Sequence, residues 1–341
     1  MIRALFVGNF LSSHSGTKGV SEKIFDHFKH ENGLRMHLVS RQGNKLLRFL
    51  EILLFASKYE YDVLHIDVFS GRAFYIARAT ARIARIRGKR ILMTLRGGRL
   101  AEYTDAKPQL VLRTLRMASV VTTPSHFLRS YFSKRGLPVT YLPNTIDLTR
   151  FPYAKIEIGV HSPRLLWVRA FADIYNPVLA IRVLKTVLQY FPNALLTMIG
   201  PDKGVLSEVK SVVRDLGISS HVNFVGPIDN SLLYKYFHTH HVYLNTTAYE
   251  SFGVAVLEAA SCGLPVVSFD VGEIPYLWQN EESIMMAPYG DVESMAQQAV
   301  RLLNDAELHA KISKNARVIA EGFAWERVRP HWLKLLAVQN G

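Results

Sequence analysis

Short apolar segments alternate with helical patterns along the whole 341-residue chain, and this alternation restricts the possible folds more than any other feature. Apolar runs bounded by turn residues predict buried strands, and the segments between them have the spacing of helices. Because consecutive strand–helix units form parallel sheets, two such series predict an α/β protein with two doubly wound, Rossmann-like domains. The predicted strands are 2–7, 36–39, 63–66, 90–95, 119–122 and 139–142 in the first series, then 165–168, 195–199, 222–225, 242–244, 265–269 and 284–286 in the second.

Turn residues cluster between the two series, from Pro143 to Pro152. We therefore predict a first domain over residues 1–150 and a second over residues 151–324. A chain of this length provides two domains that can each bury a core of their own. Ligands of doubly wound sheets bind at the carboxyl ends of the strands, so we expect an active site in a cleft that the two domains face.

The excess of positive over negative charge is confined to the first half of the chain. The formal net charge is +13; residues 1–150 contain 25 Lys and Arg against 10 Asp and Glu, whereas residues 151–341 contain 16 against 18. Over residues 76–87 arginines alternate with Ala and Ile, which predicts a basic helix face, although for any single arginine an ordinary solvated position is the alternative. The half as a whole favours an anionic membrane surface or a phosphorylated glycolipid as partner.

Nucleic acid is the competing polyanion, but the chain has no zinc-finger spacing, RNA-binding signature or basic tail, so we expect no nucleic-acid partner. The single cysteine, Cys262, excludes an internal disulfide and fits a reducing compartment. The first apolar segment is too short for a signal peptide, and Arg48 and Glu51 interrupt the longest one, so no bilayer-spanning helix is expected. We predict a cytoplasmic protein that is peripheral on the inner face of the membrane.

The run from Tyr249 to Val267 places two carboxylates beside the start of an apolar helix. We predict that this helix begins within residues 251–253, with Glu250 on the preceding loop and Glu258 about two turns inside, at a rise of ~12 Å for eight helical residues. The amides of the first turn and the positive end of the helix dipole provide a seat for a diphosphate between the two acids. Gly253 allows the backbone to approach that anion closely.

A purely structural interpretation of both acids stays open at this point. Glu250 can be an acid that favours the helix dipole, and Glu258 can occupy an exposed helix position. The residues around Glu258 are apolar, however, and an acid without a partner is costly to bury.

Glu-x7-Glu followed by Ala-x-x-Cys-Gly-Leu-Pro-Val-Val resembles the signature of the retaining glycosyltransferases of family 4, within glycosyl transferases group 1. Segments 118–125, 142–147 and 323–328 are also similar to strings of that family. The resemblance implies the GT-B fold and a last helix, about residues 325–341, that packs on the first domain. It also implies that Glu250 holds sugar hydroxyls and Glu258 holds the ribose of a nucleotide diphosphate sugar.

Arg169 follows the strand 165–168 and resembles the family's arginine that grips the diphosphate. The family usually has a lysine five residues later, but here that position is Ile174. We expect Asn176 to cap the next helix, with Pro177 as its first residue. No acidic cluster is convincing as a magnesium site, so we expect a metal-independent reaction with no cofactor besides the donor.

Arg96 ends another strand, at a position where the family often has a histidine. The resemblance implies that a fixed cation replaces a hydrogen-bonding group here, and we hypothesise that it favours a negatively charged sugar or acceptor.

Residues 8–19 fit neither a Walker loop nor a dinucleotide fingerprint, but they resemble the family's glycine-rich loop; a plain flexible turn is the alternative. Neither a metal site at His238, His240 and His241 nor a cysteine or serine hydrolase is expected.

These arguments predict an enzyme that moves a sugar from a nucleotide diphosphate sugar to a hydroxyl of a glycolipid or glycan, as in polysaccharide or lipopolysaccharide biosynthesis. A nucleotide-sugar epimerase and a non-catalytic glycan- or lipid-binding relative are the alternatives. The predicted site comprises the catalytic residues Arg169, Glu250 and Arg96, the donor-binding residues Gly16, Gly200, Ser251, Phe252, Gly253, Val254, Leu257 and Glu258, and the acceptor-side residues Asn9, His14 and Lys18.

Overall fold

The computed structural model describes residues 1–12, 18–29, 31–97, 99–159 and 161–337. They belong to two compact units. One unit comprises Met1–Thr145 together with the chain from Trp325 onward, and the other comprises Ile146–Ala324. The boundary between the two units, after Thr145, thus lies slightly before the predicted boundary after residue 150.

A six-stranded parallel sheet forms the centre of the first unit, in the order β2-β1-β3-β4-β5-β6. Parallel neighbours need crossover connections, and the helices between the strands provide them. Strand β3 is buried along nearly its whole length, as is typical of a strand covered by helices on both faces. The elements are β1 (Ile2–Val7), α1 (Val20–Phe28), β2 (Leu34–Val39), α2 (Lys45–Lys58), β3 (Val63–Val68), α3 (Arg72–Ile86), β4 (Arg90–Leu95), α4 (Leu100–Ala106), α5 (Pro108–Leu115), β5 (Val120–Thr123), α6 (His126–Ser133) and β6 (Thr140–Tyr141).

The second unit contains another six-stranded parallel sheet, in the order β12-β11-β10-β7-β8-β9. Its elements are β7 (Arg164–Val168), a 3₁₀ turn (Asp173–Tyr175), α7 (Pro177–Val187), β8 (Leu195–Ile199), α8 (Leu206–Asp215), β9 (Val222–Gly226), α9 (Leu233–Thr239), β10 (Val242–Asn245), α10 (Val254–Ser261), β11 (Val266–Phe269), α11 (Ile274–Leu277), β12 (Met285–Ala287), α12 (Val292–Asn304) and α13 (Ala306–Glu321). Side chains of Asp291 and Asp305 accept amide hydrogen bonds at the starts of α12 and α13, at 2.9 Å each, so ordinary N-caps set these two helix starts.

Each sheet has a point at which the order of its strands reverses. In the first unit this point lies between β1 and β3, and in the second unit it lies between β7 and β10. Ligands of open parallel sheets bind outside the carboxyl ends of the strands at such a point. The predicted α/β class with two doubly wound units is confirmed, and the reversal points single out the loops after β1, β3, β7 and β10.

The last helix, α14 (Trp325–Leu336), belongs to the first unit although the second unit precedes it in the chain. Its buried side chains join a core cluster with the start of the chain, and the rings of Trp332 and Phe6 lie 6.1 Å apart. Arg329 donates two hydrogen bonds to the carboxylate of Glu31, at 2.9 and 2.6 Å. Residues at both ends of the sequence therefore build one core.

Within the ranges given above, every helix is too short or too polar to cross a bilayer.

Candidate functional site

Arg169 and Glu250 meet at the reversal point of the second sheet. Arg169 directly follows β7, and Glu250 lies in the loop after β10. The guanidinium Nη2 of Arg169 donates to the Glu250 carboxylate and lies 3.4 Å from the Oδ1 of Asn245. Both side chains of the ion pair are largely buried, with 14% and 10% exposed. Two predicted catalytic residues, far apart in the sequence, thus form one charged pair where the fold places ligands.

The Arg169 guanidinium still has hydrogen-bonding capacity left over. Its Nε is buried and, among the residues described, no acceptor satisfies it. Burial opposes the charged form, but the attraction of Glu250, Tyr243, Tyr175 and Glu258 outweighs this effect and raises the Arg169 pKa above its ordinary value. The side chain is therefore a permanent cation with a buried donor that lacks a partner, and such donors are rare unless a ligand satisfies them.

The backbone of Glu250 is held by the turn that follows β11. The amide of Glu273 donates to the Glu250 carbonyl at 2.8 Å. Gly272 has φ +56°, and a Cβ at this position would lie 2.1 Å from the Glu250 carbonyl oxygen. Only glycine fits here, so Gly272 keeps the two loops close enough to fix Glu250.

A second set of hydrogen bonds ties the loop after β10 to the 3₁₀ turn after β7. The Ile174 carbonyl accepts from the Ala248 amide at 2.8 Å, and the Thr246 hydroxyl donates to the Tyr175 carbonyl at 2.8 Å. At the position where the resembling family has a lysine, this chain therefore uses the backbone of Ile174 to position the loop that carries Glu250. The Tyr175 ring adds a cation–π contact, 5.4 Å from the Arg169 guanidinium carbon.

The predicted capping role of Asn176 is wrong in its mechanism. Asn176 does precede the first residue of α7, Pro177, but it has φ +45° and its side chain does not cap the helix. The side-chain amide instead donates to the Thr246 carbonyl at 3.2 Å and lies 3.2 Å from the Tyr289 hydroxyl. Asn176 tolerates this left-handed backbone better than most residues, and it helps to hold the same loop.

Helix α10 begins later than its sequence predicts. Gly253 is the residue before the helix, with φ +86°, and the helix proper runs from Val254 to Ser261. Glu258 is therefore about one turn inside rather than two, and the estimate of eight helical residues between the acids is wrong. Glu258 is nevertheless buried, at 5% exposure, as its apolar neighbours predict. The first-turn amides of this eight-residue helix have no acceptor within the helix itself.

The remaining predicted donor residues divide into half-buried and core positions. Ser251 and Val254 are half-buried, whereas Phe252 and Leu257 are 2% and 1% exposed and pack in the core. The Phe252 ring meets Phe323 edge to face at 5.3 Å. A contact between Phe252 or Leu257 and a donor would therefore have to use the backbone.

Gly200, also predicted to bind donor, has φ +149° and lies against the backbone of Arg169. A Cβ at this position would come within 1.9 Å of the Arg169 carbonyl oxygen. Because Gly200 has no side chain, the chain after β8 can lie directly against the backbone of Arg169 after β7. Gly16 and His14 lie outside the described residues.

Arg96 lies at the carboxyl end of β4 in the first unit and has a buried partner of its own. Its Nε donates to Asp67 Oδ1 at 2.7 Å and its Nη1 to Asn144 Oδ1 at 2.6 Å. Only 8% of the Arg96 side chain and 7% of the Asp67 side chain are exposed. Asp67 also accepts from the Ser21 hydroxyl at 2.6 Å. Burial opposes ionisation of Asp67, but Arg96, His65 and Ser21 together lower its pKa below the usual value. The charge of Arg96 is already balanced, which counts against the hypothesis that it is a free cation for an acidic substrate.

Two predicted acceptor-side residues also lie in the first unit. Asn9 Oδ1 accepts from Arg48 Nη1 at 2.9 Å. Lys18 forms an ion pair with Asp26 and lines a pocket of about 230 Å³ that also includes Phe10 and Phe25. Their contact with an acceptor stays a prediction.

The histidines and the cysteine have ordinary structural partners. His240 Nε2 and Thr197 Oγ1 lie 2.9 Å apart, and His241 Nδ1 accepts from the Arg164 amide at 2.8 Å. Burial lowers the pKa of each histidine to about 4, so both are neutral near pH 7. Burial, reinforced by the nearby Glu258, raises the pKa of the Cys262 thiol to about 12, which makes it a poor nucleophile.

Sequence reasoning missed Asn245, Tyr175, Gly272 and Asp67. Asn245 and Asp67 are polar residues at or near the carboxyl ends of apolar strands, and this signal alone could have identified them. Tyr175 and Gly272 act through contacts with distant loops, and no local pattern marks such contacts.

Comparison with known proteins agrees with this geometry. Residues 154–318 match the family model described as glycosyl transferases group 1. The chain is 27% identical over 296 residues to D-inositol 3-phosphate glycosyltransferase of Saccharomonospora viridis, covering 78% of this chain and 68% of that protein.

Two solved structures are similar over almost their whole length. They are sucrose-phosphate synthase from Thermosynechococcus elongatus, with TM-score 0.78, 17% identity and 98% of each chain covered, and Anabaena HepE in complex with UDP and glucose, with TM-score 0.77, 15% identity and 98% and 99% covered. The matched segment contains Arg169, Glu250 and Glu258, and both units have the doubly wound topology. Residues 154–318 therefore form a glycosyl transferases group 1 domain, and the chain has the GT-B fold.

Proposed function

We propose that the protein is a retaining glycosyltransferase of family 4, which moves a sugar from a nucleotide diphosphate sugar to a hydroxyl group of a glycolipid or glycan. The observation that carries the proposal is the buried Nε of Arg169, a cationic donor without a partner among the described residues, at the reversal point of the second sheet. Retention is inferred from the resemblance of the Glu-x7-Glu run to family 4. The reaction is proposed to need no metal ion.

The reaction requires stabilisation of a departing diphosphate. In this proposal Arg169 and the first-turn amides of α10 face the phosphates as negative charge develops on them. Since Arg169 is largely buried, its attraction for an anion is screened less than it would be at the surface. Glu250 and Tyr175 hold the Arg169 guanidinium in place before the reaction. The side chain therefore needs little reorganisation as negative charge develops on the diphosphate.

The two acids have different roles in this proposal. Glu250, anchored through Glu273 and Gly272, accepts hydrogen bonds from sugar hydroxyls, and Glu258 accepts them from the ribose. Neither acid is proposed as a nucleophile. The assignment of these roles rests on the family resemblance, and the burial of both carboxylates supports it, because hydrogen bonds to buried ionised groups are strong.

The names of related proteins support the substrate class. The similar HepE structure holds UDP and glucose, and the S. viridis relative is named for transfer to an inositol phosphate. We infer from them that the donor here is a nucleotide diphosphate sugar and the acceptor a hydroxyl compound.

Incubation of the protein with a panel of nucleotide sugars, with and without candidate acceptors, tests the proposal. We expect release of nucleoside diphosphate that depends on the acceptor, together with a glycosylated product that keeps the anomeric configuration of the donor. Release without any acceptor, accompanied by an epimerised sugar, would instead identify an epimerase. Donor binding without turnover under every condition would point to a non-catalytic relative.

We also propose that the protein works at the inner face of an anionic membrane. Helix α2 supports this location, because four of its exposed residues are leucines. Leu46, Leu50 and Leu54 recur every four residues on one face, with Leu47 beside them, and they are 66%, 53%, 51% and 53% exposed, respectively. Contiguous exposed apolar surface of this kind marks interaction sites, and the excess positive charge of the first 150 residues suits an anionic leaflet.

Exchange of Leu50 and Leu54 for glutamine is therefore expected to weaken vesicle binding at least tenfold, because about half of each side chain is exposed and can gain about half of the ~1.5–3 kcal/mol that full burial of a leucine contributes. Glutamine has nearly the helix propensity of leucine, so α2 should stay folded. Co-sedimentation with phosphatidylglycerol-containing vesicles measures the effect. The matched control exchanges Tyr190 and Val318, exposed apolar residues of the second unit, for glutamine. Equal binding by the two double variants would remove α2 from the proposed membrane surface.

A further inference from the structure

The first unit has a pocket that is lined mainly by arginines. It lies between helices α3 and α5, has a volume of about 670 Å³, and is lined by Arg78, Arg82, Arg85, Ile86, Arg113 and Met117. None of these residues belongs to the predicted donor or acceptor site. The pocket therefore needs an explanation beyond the transfer reaction.

The positive charges around the pocket are not balanced by neighbouring acids. Within the described part of the chain, no carboxylate lies within ion-pair distance of Arg82, Arg85 or Arg113. Arg78 Nη1 donates to the hydroxyl of Thr114 at 3.3 Å, which leaves its charge uncompensated. Nearby Arg87 is different, because it donates to two backbone carbonyls and pairs with Glu60. Four like charges around one cavity repel each other unless an anion lies between them.

The shape of the arginine side chain narrows the kind of anion. Each guanidinium presents a planar fork of donors that matches the oxygens of phosphate or carboxylate. Four such groups around one cavity favour an anion with several charges and many acceptor oxygens, which describes a phosphate or diphosphate group better than a single carboxylate. Ile86 is 86% exposed at the edge of the pocket, and with Met117 it offers an apolar contact beside the cations.

We propose that the pocket between α3 and α5 is a binding site for a phosphate-bearing anion, either free in solution or as the head group of a lipid. The site goes beyond the proposed transferase function, because it involves none of the residues assigned to sugar transfer. It is also separate from the leucine face of α2, which can contact a bilayer without recognising any head group.

The test compares two double variants with the wild-type protein. The pocket variant carries Arg82→Gln and Arg85→Gln, and the control carries Arg35→Gln and Arg129→Gln, which removes two exposed arginines of the same unit from outside the pocket. Arginine and glutamine have similar helix propensities, so α3 should stay intact, and circular dichroism with thermal unfolding checks the fold of each variant. The probes are inorganic pyrophosphate, measured by calorimetry, and phosphatidylcholine vesicles with and without phosphatidylglycerol, measured by co-sedimentation.

We expect the pocket variant to bind at least one probe roughly tenfold more weakly than the control, because it loses charge-assisted hydrogen bonds from two arginines. Pyrophosphate bound at the donor site is common to all three proteins and cancels in the comparison. A loss confined to pyrophosphate identifies a free diphosphate as the ligand, and a loss confined to phosphatidylglycerol vesicles identifies a lipid head group. Indistinguishable affinities of the pocket and control variants for both probes would overturn the proposal.

Discussion

Exchange of Arg169 for glutamine is expected to lower kcat by roughly 10²–10³-fold, the usual loss when one preorganised donor to a developing anion is removed. The physical reason is the position of Arg169, a buried cation with an unsatisfied Nε that pairs with Glu250 in the loop leading to α10. If Arg169 acts on the leaving diphosphate, kcat should fall more than the affinity for the donor. Steady-state kinetics with the donor identified in the panel experiment measure both quantities.

The controls for this prediction separate chemistry from folding. Glu250 would lose its cationic partner in the Arg169 variant, so Arg169→Gln combined with Glu250→Gln restores charge balance and should be as stable as the wild type while remaining inactive. Arg182→Gln changes an exposed arginine on α7 of the same unit and should leave kcat unaltered. A folded Arg169→Gln protein with wild-type kcat would exclude Arg169 from the transfer step.

Exchange of Asp67 for asparagine is expected to destabilise the first unit by roughly 3–5 kcal/mol, because it leaves the buried Arg96 without its counter-ion. The expected fall in melting temperature is on the order of 10 °C. Thermal unfolding followed by circular dichroism at neutral pH measures it. The size of this loss depends on burial, since both side chains of the pair are less than a tenth exposed.

Two variants test that explanation. Asp105→Asn breaks the ion pair with Arg135, whose side chains are 58% and 36% exposed, and should cost less than about 1 kcal/mol. Replacing both members of the buried pair, with Asp67→Leu and Arg96→Met, should recover most of the stability that Asp67→Asn loses. Equal effects of Asp67→Asn and Asp105→Asn would show that Arg96 is solvated rather than buried with its partner.

The fold was predictable because most of its strands are buried and therefore appear as continuous apolar runs. All twelve predicted strands overlap with strands of the structure, although β6 shrinks to Thr140–Tyr141. The family assignment was predictable for a different reason. The run from Glu250 to Val267 combines two acids, a glycine and a helix start at fixed spacing, and it lies within residues 154–318, which match the glycosyl transferases group 1 model.

The details of the site were less predictable, because they depend on contacts between distant segments. Nothing near Arg169 in the sequence indicates Glu250, since only the pairing of β7 with β10 brings them together. Likewise the sequence around Arg96 suggests a free cation, and only the pairing of β3 with β4 brings Asp67 beside it. Helix α10 begins after Gly253 because this glycine adopts a left-handed backbone, and its sequence also allows an earlier start.

The return of α14 to the first unit has a consequence for the newborn polypeptide. The amino-terminal strands leave the ribosome early, but the apolar side chain of Phe6 on β1 can pack against Trp332 only after α14 has been translated. The second unit, by contrast, is one uninterrupted stretch, and it can mature while synthesis continues. The first unit therefore completes its core only after the second unit has been synthesised, and loss of α14 would leave apolar residues of β1 exposed to aggregation.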